Sequence, residues 1–200
     1  MELLLDKINI ALIVAILLNL FLGMMVFFNG PKRKINVIYS FNIIAIVSWL
    51  VAMFFYRSSS QESDIFWCTI LYIAPTLIAS SFLYFTYIFP SQKDKNIALK
   101  AIIIFIINLI IALMVAWPGF IIKEVNVRPG LEKEIIFTKF YVFYFLYTLC
   151  FFSFGFSRLF QRYRKSVGVE RLQIIYLLIG YATAANLAFV TDLTMPWIGF

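Results

Sequence analysis

Apolar residues dominate the chain in six long runs that contain no charged side chain. An α-helix of about 20 residues crosses the roughly 30 Å hydrocarbon core of a bilayer, and each run is close to that length. Because lipid offers the backbone no hydrogen bonds, the pattern predicts helices despite the many Phe, Tyr and Ile residues. Uninterrupted apolar runs also differ from the alternation of a membrane β-barrel. We therefore predict an all-α integral membrane protein, a polytopic helical bundle with spans at residues 8–28, 35–56, 65–89, 101–117, 140–157 and 172–190.

The last ten residues resemble the start of another span. Pro196 is well placed at the beginning of a helix, and the residues after it are apolar again. We predict a seventh span that begins near residue 195 and is cut short. Residues 1–200 would then form a single transmembrane domain at the N-terminal part of a longer protein. A six-helix protein with a short tail is the alternative.

The composition agrees with a lipid environment. Hydrophobic residues make up 63% of the chain and charged residues only 14%, whereas a soluble domain has roughly a quarter of its residues charged. A net charge of +7 is also found in proteins that bind nucleic acid. Here, however, the basic residues are confined to short loops between apolar runs, which is typical of membrane orientation. The predicted partner is the lipid bilayer and not a nucleic acid.

Lysine and arginine are divided unevenly between two sets of loops. Eleven of the seventeen follow the first, third and fifth spans, and six lie at the N-terminus or in the other loops. The densest group, residues 158–173, carries five of them and is predicted to be a loop in water. Basic loops usually stay in the cytoplasm. The pattern predicts a multi-pass protein of the cell membrane, with an extracellular N-terminus and cytoplasmic basic loops.

Two extracellular loops are predicted to differ in structure. Residues 57–64 form a short flexible connector. Residues 118–137 contain two arms rich in β-formers around Pro129 and Gly130, which suit the central positions of a type II turn. The second loop is therefore predicted to be a small β-hairpin over the ends of the helices. An irregular loop is the alternative.

The sequence contains no recognisable catalytic or metal-binding chemistry. The six spans carry no Asp, Glu, Lys or Arg, and the chain has no His. It also lacks a phosphate-binding loop and an HExxH motif. We predict no catalytic residue, no metal site and no cofactor within these 200 residues. Any enzymatic activity of the full-length protein would lie beyond residue 200.

Polar residues near one end of the last spans indicate where a ligand could bind. Tyr141, Tyr144 and Tyr147 recur every three residues and would lie roughly on one helix face. This face could line an outward-opening pocket, and aromatic packing is the alternative. The predicted ligand-binding residues are Tyr141, Tyr144, Asn186 and Asp192. Other polar residues inside the spans, including Asn19, Asn42 and Ser48, are expected to bond to neighbouring helices.

Several short motifs resemble those of one family. They are the polar-basic turn at residues 29–36, Trp49 late in the second span, an aromatic-Pro motif ending at Pro90, the Arg171-Leu-Gln173 motif, and residues 191–199. Together with the order of elements, they resemble the N-terminal seven-helix region of membrane histidine kinases. In that region an Asn is usual where this chain has Asp192. The resemblance implies a sensory input module and does not specify its signal. A small molecule or a lipid is the expected signal, and a homodimer through the output domain is expected. Arg171 and Gln173 are the candidates for signal coupling, with headgroup anchoring as the alternative role of Arg171.

Two other classes of function remain open at this point. A transporter, or a membrane subunit without catalytic activity, would also have many spans. Transporters often contain inverted repeats and broken helices, but we find no convincing repeat, and Pro75 is the only proline in the middle of a span. A structural or assembly subunit is the third alternative. The sequence favours the sensory module.

Overall fold

The computed structural model describes residues 6–59, 63–89, 96–127 and 133–197. It confirms an all-α membrane bundle with a small two-stranded sheet between the fourth and fifth helices. All six long helices are apolar and long enough to cross a membrane. The elements are α1 (Lys7–Phe28), α2 (Lys34–Ser58), α3 (Asp64–Ile88), α4 (Ile97–Ala116), β1 (Ile122–Val127), β2 (Lys133–Phe137), α5 (Tyr141–Lys165), α6 (Gly168–Ala188), a π-helical segment (Phe189–Thr194) and α7 (Met195–Trp197).

The helices extend beyond the uncharged runs. The prediction of a loop in water at residues 158–173 is wrong, because α5 continues to Lys165 and α6 begins at Gly168. Only Ser166 and Val167 separate the two helices, and Gly168 has a φ of 60°, a backbone conformation that favours glycine. A helix of 25 residues is about 38 Å long, so its charged end can leave the hydrocarbon core while the backbone stays helical.

Helix α3 is the centre of the bundle. Of its 25 residues 14 are buried, against α2, α4 and α5. By contrast, α1 buries only Asn9 and Gly23, and α6 buries only Ile174. Both outer helices expose many large apolar side chains, as lipid contact requires. A Cβ added at Gly180 of α6 would meet no atom within 4 Å, so no described helix packs closely against α6 at that residue.

Two details hold α3 against α5. Gly155 of α5 lies so close to Phe82 that an added Cβ would be 2.5 Å from the Cε1 atom of the ring. Near Pro75, the Tyr147 hydroxyl of α5 donates to the Thr76 carbonyl oxygen at 2.9 Å. This bond joins the two helices directly. Glycine therefore allows the close approach, and tyrosine adds a hydrogen bond across it.

The strands β1 and β2 form the predicted hairpin. They pair antiparallel from Ile122↔Phe137 at the base to Val127↔Lys133 at the distal end. At the base, the Phe120 ring stacks on Phe140 with centroids 4.6 Å apart. The predicted turn at Pro129 and Gly130 lies outside the described residues. A lone hairpin is marginally stable in water, and these contacts fix its base to the helices.

The chain remains helical from Gly168 to Trp197. The π-helical segment Phe189–Thr194 follows α6 directly, and α7 follows that segment with no loop between them. The expectation of a seventh span that begins near residue 195 stays a prediction, because only three of its residues are described.

Candidate functional site

One end of the bundle gathers most of the polar contacts between elements. We call it the hairpin end, because it carries β1 and β2 together with the start of α1, the turn between α2 and α3, the start of α5 and the π-helical segment. An ion pair joins Arg57 of α2 to Asp6 beside α1 at 3.0 Å. A second ion pair joins Lys133 of β2 to Asp64 of α3. The opposite end, with the turn between α5 and α6, is called the basic end.

Three buried tyrosines form an aromatic cluster at the hairpin end. Tyr72 of α3 and Tyr141 and Tyr144 of α5 make up this tyrosine cluster, and each is at most 5% exposed. Their ring centroids lie 5.5 to 6.3 Å apart. Tilted and edge-on arrangements at these distances are the favourable ones for aromatic rings. Phe137 of the hairpin packs on Tyr141 at 4.1 Å, so the cluster also fixes the base of the hairpin.

The tyrosine cluster is hydrogen-bonded to the π-helical segment. The Tyr141 hydroxyl donates to the Leu193 carbonyl oxygen at 3.0 Å, and the Tyr72 hydroxyl donates to the Asp192 carbonyl oxygen at 3.3 Å. Buried tyrosine hydroxyls need such partners. Single π-turns inside helices occur frequently at functional sites. The two bonds connect the end of α6 to the core of the bundle.

The four predicted ligand-binding residues do not all lie together. Tyr141 and Tyr144 are in the buried cluster, and Asp192 is beside it, half-buried, accepting a hydrogen bond from the Thr191 hydroxyl at 3.0 Å. Asn186 is exposed and donates to the Ala182 carbonyl oxygen of its own helix at 2.7 Å. The structure thus brings three of the four to one place. Their role in binding a ligand stays a prediction.

A buried polar network joins three helices elsewhere in the bundle. The Asn42 side chain of α2 donates to Ser81 Oγ of α3 at 2.7 Å and to the Ile78 carbonyl oxygen at 3.0 Å. The Tyr181 hydroxyl of α6 donates to Asn42 Oδ1 at 2.8 Å. The expected bonding between helices is therefore correct for Asn42. It is wrong for Asn19 and Ser48, each of which donates to the carbonyl oxygen four residues earlier in its own helix.

Replacing Asn42 by Leu is expected to lower the free energy of unfolding by about 2 kcal/mol. It removes three hydrogen bonds and leaves the buried Tyr181 hydroxyl without this acceptor, and bonds between membrane helices contribute about 0.6 to 1.7 kcal/mol each. Tyr181→Phe, which removes one bond, should cost about 0.6 kcal/mol. Unfolding by SDS titration from mixed micelles measures both. Asn19→Leu is the control, because its bond stays within α1. Equal losses for Asn42→Leu and Asn19→Leu would contradict the network.

The predicted coupling residues lie at the basic end. Arg171 Nη2 donates to the Tyr163 hydroxyl at 3.0 Å, and its guanidinium carbon lies 4.6 Å from the centre of that ring. This contact crosses the turn between α5 and α6. Gln173 is exposed. The geometry gives Arg171 a means of holding the turn, and signal coupling by both residues stays a prediction.

Tyr87 of α3 is a second contact at the basic end that sequence reasoning missed. The Arg158 guanidinium carbon lies 3.7 Å from the centre of its ring, and Lys100 Nζ lies 4.9 Å from it. Arg162 Nη2 also donates to the Tyr87 carbonyl oxygen at 3.0 Å. Cations over an aromatic face are attracted by its quadrupole. The spacing of Arg158 and Arg162 places both on one face of α5, but nothing in the sequence indicates Tyr87 as their partner.

Lys133 of the hairpin sits among four oxygen atoms from the last turn of α2, from Ser59 after it and from the first residue of α3. Its Nζ atom lies 2.5 Å from Asp64 Oδ1, 2.5 Å from the Tyr56 carbonyl oxygen, and 2.9 and 3.1 Å from the Ser59 carbonyl and hydroxyl oxygens. We call these four oxygens, together with the second oxygen of the Asp64 carboxylate, the ammonium cage. The Tyr56 ring centre is 5.1 Å from the same nitrogen. Sequence reasoning missed the cage because it treated residues 57–64 as a flexible connector. An acid at the start of a helix was the available signal.

Within the described part of the chain, no group of three or more His, Cys, Asp or Glu side chains could hold a metal ion. Four charged residues at the hairpin end form the two ion pairs described above.

Comparison with known proteins identifies the family. The family model described as the N-terminal 7TM region of histidine kinase matches residues 11–200. No curated protein matches the chain. The matched region covers all six long helices, the hairpin and the π-helical segment almost completely. The chain therefore belongs to the family of N-terminal 7TM regions of histidine kinases.

Proposed function

We propose that this chain is the membrane-embedded sensory input module of a two-component sensor histidine kinase, with the hairpin end outside the cell. The family's description as an N-terminal region supports an output domain beyond residue 200 that carries the catalysis and forms a homodimer. The excess of Lys and Arg at the basic end favours a cytoplasmic position for that end. No cofactor is needed in the residues described here for such a role.

The observation that carries the mechanism is the pair of hydrogen bonds from Tyr72 and Tyr141 to the π-helical segment. The helix before this segment, α6, buries only Ile174 and is among the most loosely packed parts of the bundle. Loosely packed elements move at the lowest free-energy cost. A signal that favours a different arrangement of the tyrosine cluster would therefore move α6 and the residues that follow it.

The signal is a small molecule or a lipid that reaches the hairpin end. Tyr141, Tyr144 and Asp192 would contact it, and a ligand would shift the arrangement only by its difference in affinity for the two states. Asn186 lies on an exposed face of α6, so it would contact a signal only from the lipid side. At the basic end, Arg171 and Gln173 would transmit the movement across the turn between α5 and α6.

Replacing Tyr141 by Phe in the full-length protein is expected to raise basal autophosphorylation about threefold. The hydroxyl stabilises the arrangement in this structure, which the proposal assigns to the resting state, and losing about 0.6 kcal/mol there shifts a two-state equilibrium by about that factor. The measurement is ATP-dependent autophosphorylation in lipid nanodiscs at matched protein levels. Tyr176→Phe is the matched control, because Tyr176 is 74% exposed on α6. Arg171→Ala, assayed in parallel, should change the response if Arg171 couples the helices.

Two results would count against the mechanism. Equal activities of Tyr141→Phe and Tyr176→Phe would remove the bond to the π-helical segment from the signalling path. Unchanged basal and stimulated activity in Arg171→Ala and Gln173→Ala would remove those residues from the coupling path and leave headgroup anchoring as the role of Arg171.

A further inference from the structure

The ammonium cage is built where a helix presents unpaired carbonyl oxygens. The last four carbonyls of an α-helix lack partners within the helix, and its C-terminal end carries a partial negative charge. The Tyr56 carbonyl belongs to the last turn of α2, and Ser59 is the residue that follows the helix. The Asp64 carboxylate, the first residue of α3, adds a full negative charge. The Ser59 hydroxyl is also hydrogen-bonded to Asp64 Oδ1. These atoms together form an acceptor site for a cation with several N–H groups.

Lys133 fills this site from the distal end of the hairpin. Its ammonium group has three N–H donors, which suit a set of oxygens at 2.5 to 3.1 Å. The base of the hairpin is held separately, by Phe137 against Tyr72 and Tyr141. The cage contact is therefore at the opposite end of β2 from the aromatic contacts. Loss of the lysine from the cage would release the distal end while the base stays packed.

The cage has acceptor capacity that Lys133 does not use. Asp64 Oδ2 is buried and has no hydrogen-bond partner in the described ranges of the chain. The Asp64 side chain is only 2% exposed. A buried polar atom without a partner is costly, more so on a charged group. A ligand with more N–H donors than one lysine would satisfy this oxygen.

We propose that the ammonium cage is a binding site for primary ammonium groups, and that Lys133 is its built-in occupant. An external primary amine or polyamine competes with Lys133 for the same oxygens. A tethered group acts at an effective concentration of about millimolar or higher, so a simple monoamine competes poorly and a polyamine with additional donors competes better. Binding at the cage does not depend on the proposed kinase role. The consequence, that a bound amine frees the distal end of the hairpin and so changes signalling, rests on that role.

Chemical rescue tests the site directly. In the Lys133→Ala variant of the full-length protein in nanodiscs, ethylammonium is expected to raise the thermal unfolding midpoint by about 3 °C when titrated to roughly 100 mM. Tetramethylammonium has the same charge but no N–H donor, so it should not raise the midpoint. The double variant Asp64→Asn/Lys133→Ala should not respond to ethylammonium, because the carboxylate is gone. Equal responses to the two cations, or equal responses of the single and double variants, would overturn the proposal.

A second measurement applies if Lys133→Ala does not fold. A fluorophore is attached to the exposed position 123 through Lys123→Cys, in a Cys150→Ala background that removes the exposed cysteine. Titration with spermine, a polyamine with more N–H donors than Lys133, should then produce a saturable change in emission as the hairpin is released. The same label with Asp64→Asn added should show no saturable change. No change in the protein that keeps Asp64 would overturn the proposal. Because neither readout involves phosphorylation, failure here is distinguishable from failure of the kinase proposal.

Discussion

Replacing Lys133 by Met is expected to lower the free energy of unfolding by about 3 kcal/mol, whereas Asp64→Asn should cost only about 1 kcal/mol. Lys133 and Asp64 form one ion pair, but only Lys133 can leave the site. Asp64 begins the central helix and its side chain is 2% exposed, so its charge stays buried without a partner when the lysine is removed. Lys133 lies at the distal end of a hairpin and keeps the Tyr56 and Ser59 oxygens when Asp64 is replaced.

SDS-induced unfolding in mixed micelles measures this asymmetry. The double variant Asp64→Asn/Lys133→Met should recover most of the loss, because it removes the unpaired charge. Arg57→Met is the control for an ion pair at the same end of the bundle. Its pair with Asp6 is 27% and 38% exposed, so its loss should cost no more than about 1 kcal/mol. Equal losses for Lys133→Met and Asp64→Asn would show that the Asp64 charge is not held rigidly in the cage.

Replacing Gly155 by Ala is expected to cost about 2 kcal/mol, although alanine is the better helix former. The new methyl group would lie 2.5 and 2.9 Å from two carbon atoms of the Phe82 ring. Phe82 is fully buried, and its ring packs against Tyr181 at 4.6 Å and Phe156 at 5.1 Å. Because the ring has no free space to enter, α5 has to move away from α3.

Gly180→Ala is the matched control for that prediction. It adds the same methyl group to a helix of the same bundle, where no atom lies within 4 Å. Its effect on the free energy of unfolding should be near zero or stabilising by up to about 1 kcal/mol. Both variants are compared by SDS titration. Similar changes in the free energy of unfolding for Gly155→Ala and Gly180→Ala would mean that α3 and α5 can separate at little free-energy cost.

Hydropathy predicts the number and order of the helices in this chain, but not which side of each helix faces the core. Phe21 and Phe82 both lie in uncharged runs, yet Phe21 is 67% exposed and Phe82 is fully buried. In lipid an apolar side chain has no reason to prefer the interior, so packing and not polarity decides its position. The hairpin could be predicted because its turn chemistry is local. The last residue of α5 and the first residue of α6 could not be predicted. Charged residues indicate where the chain enters water, and a helix can continue beyond that point.

The candidate site was predictable only in part for a related reason. The spacing of Tyr141 and Tyr144 indicates one helix face, and that face is where the tyrosine cluster forms. Tyr72 comes from another helix, and its contact with the Asp192 carbonyl spans 120 positions in the sequence. Lys133 and Asp64 are 69 positions apart, in segments that show no shared pattern. Contacts of this kind depend on how the helices are arranged, and one sequence does not specify that arrangement.

The π-helical segment changes the direction in which the residues after it point around the helix axis. An α-helix advances about 100° per residue, and a turn closed by i→i+5 bonds holds one residue more than the helix around it. The residues after Thr194 are thus rotated by about 100° relative to the positions that an unbroken α6 would give them. In this orientation the Trp197 ring centroid lies 5.8 Å from that of Tyr141 and 5.2 Å from that of Phe145. Conversion of the wide turn to an ordinary one would rotate the following helix by about 100° about its own axis and shift it along that axis by about 1.5 Å, the rise of one residue. Such a movement of the helix would also move any domain attached to its end.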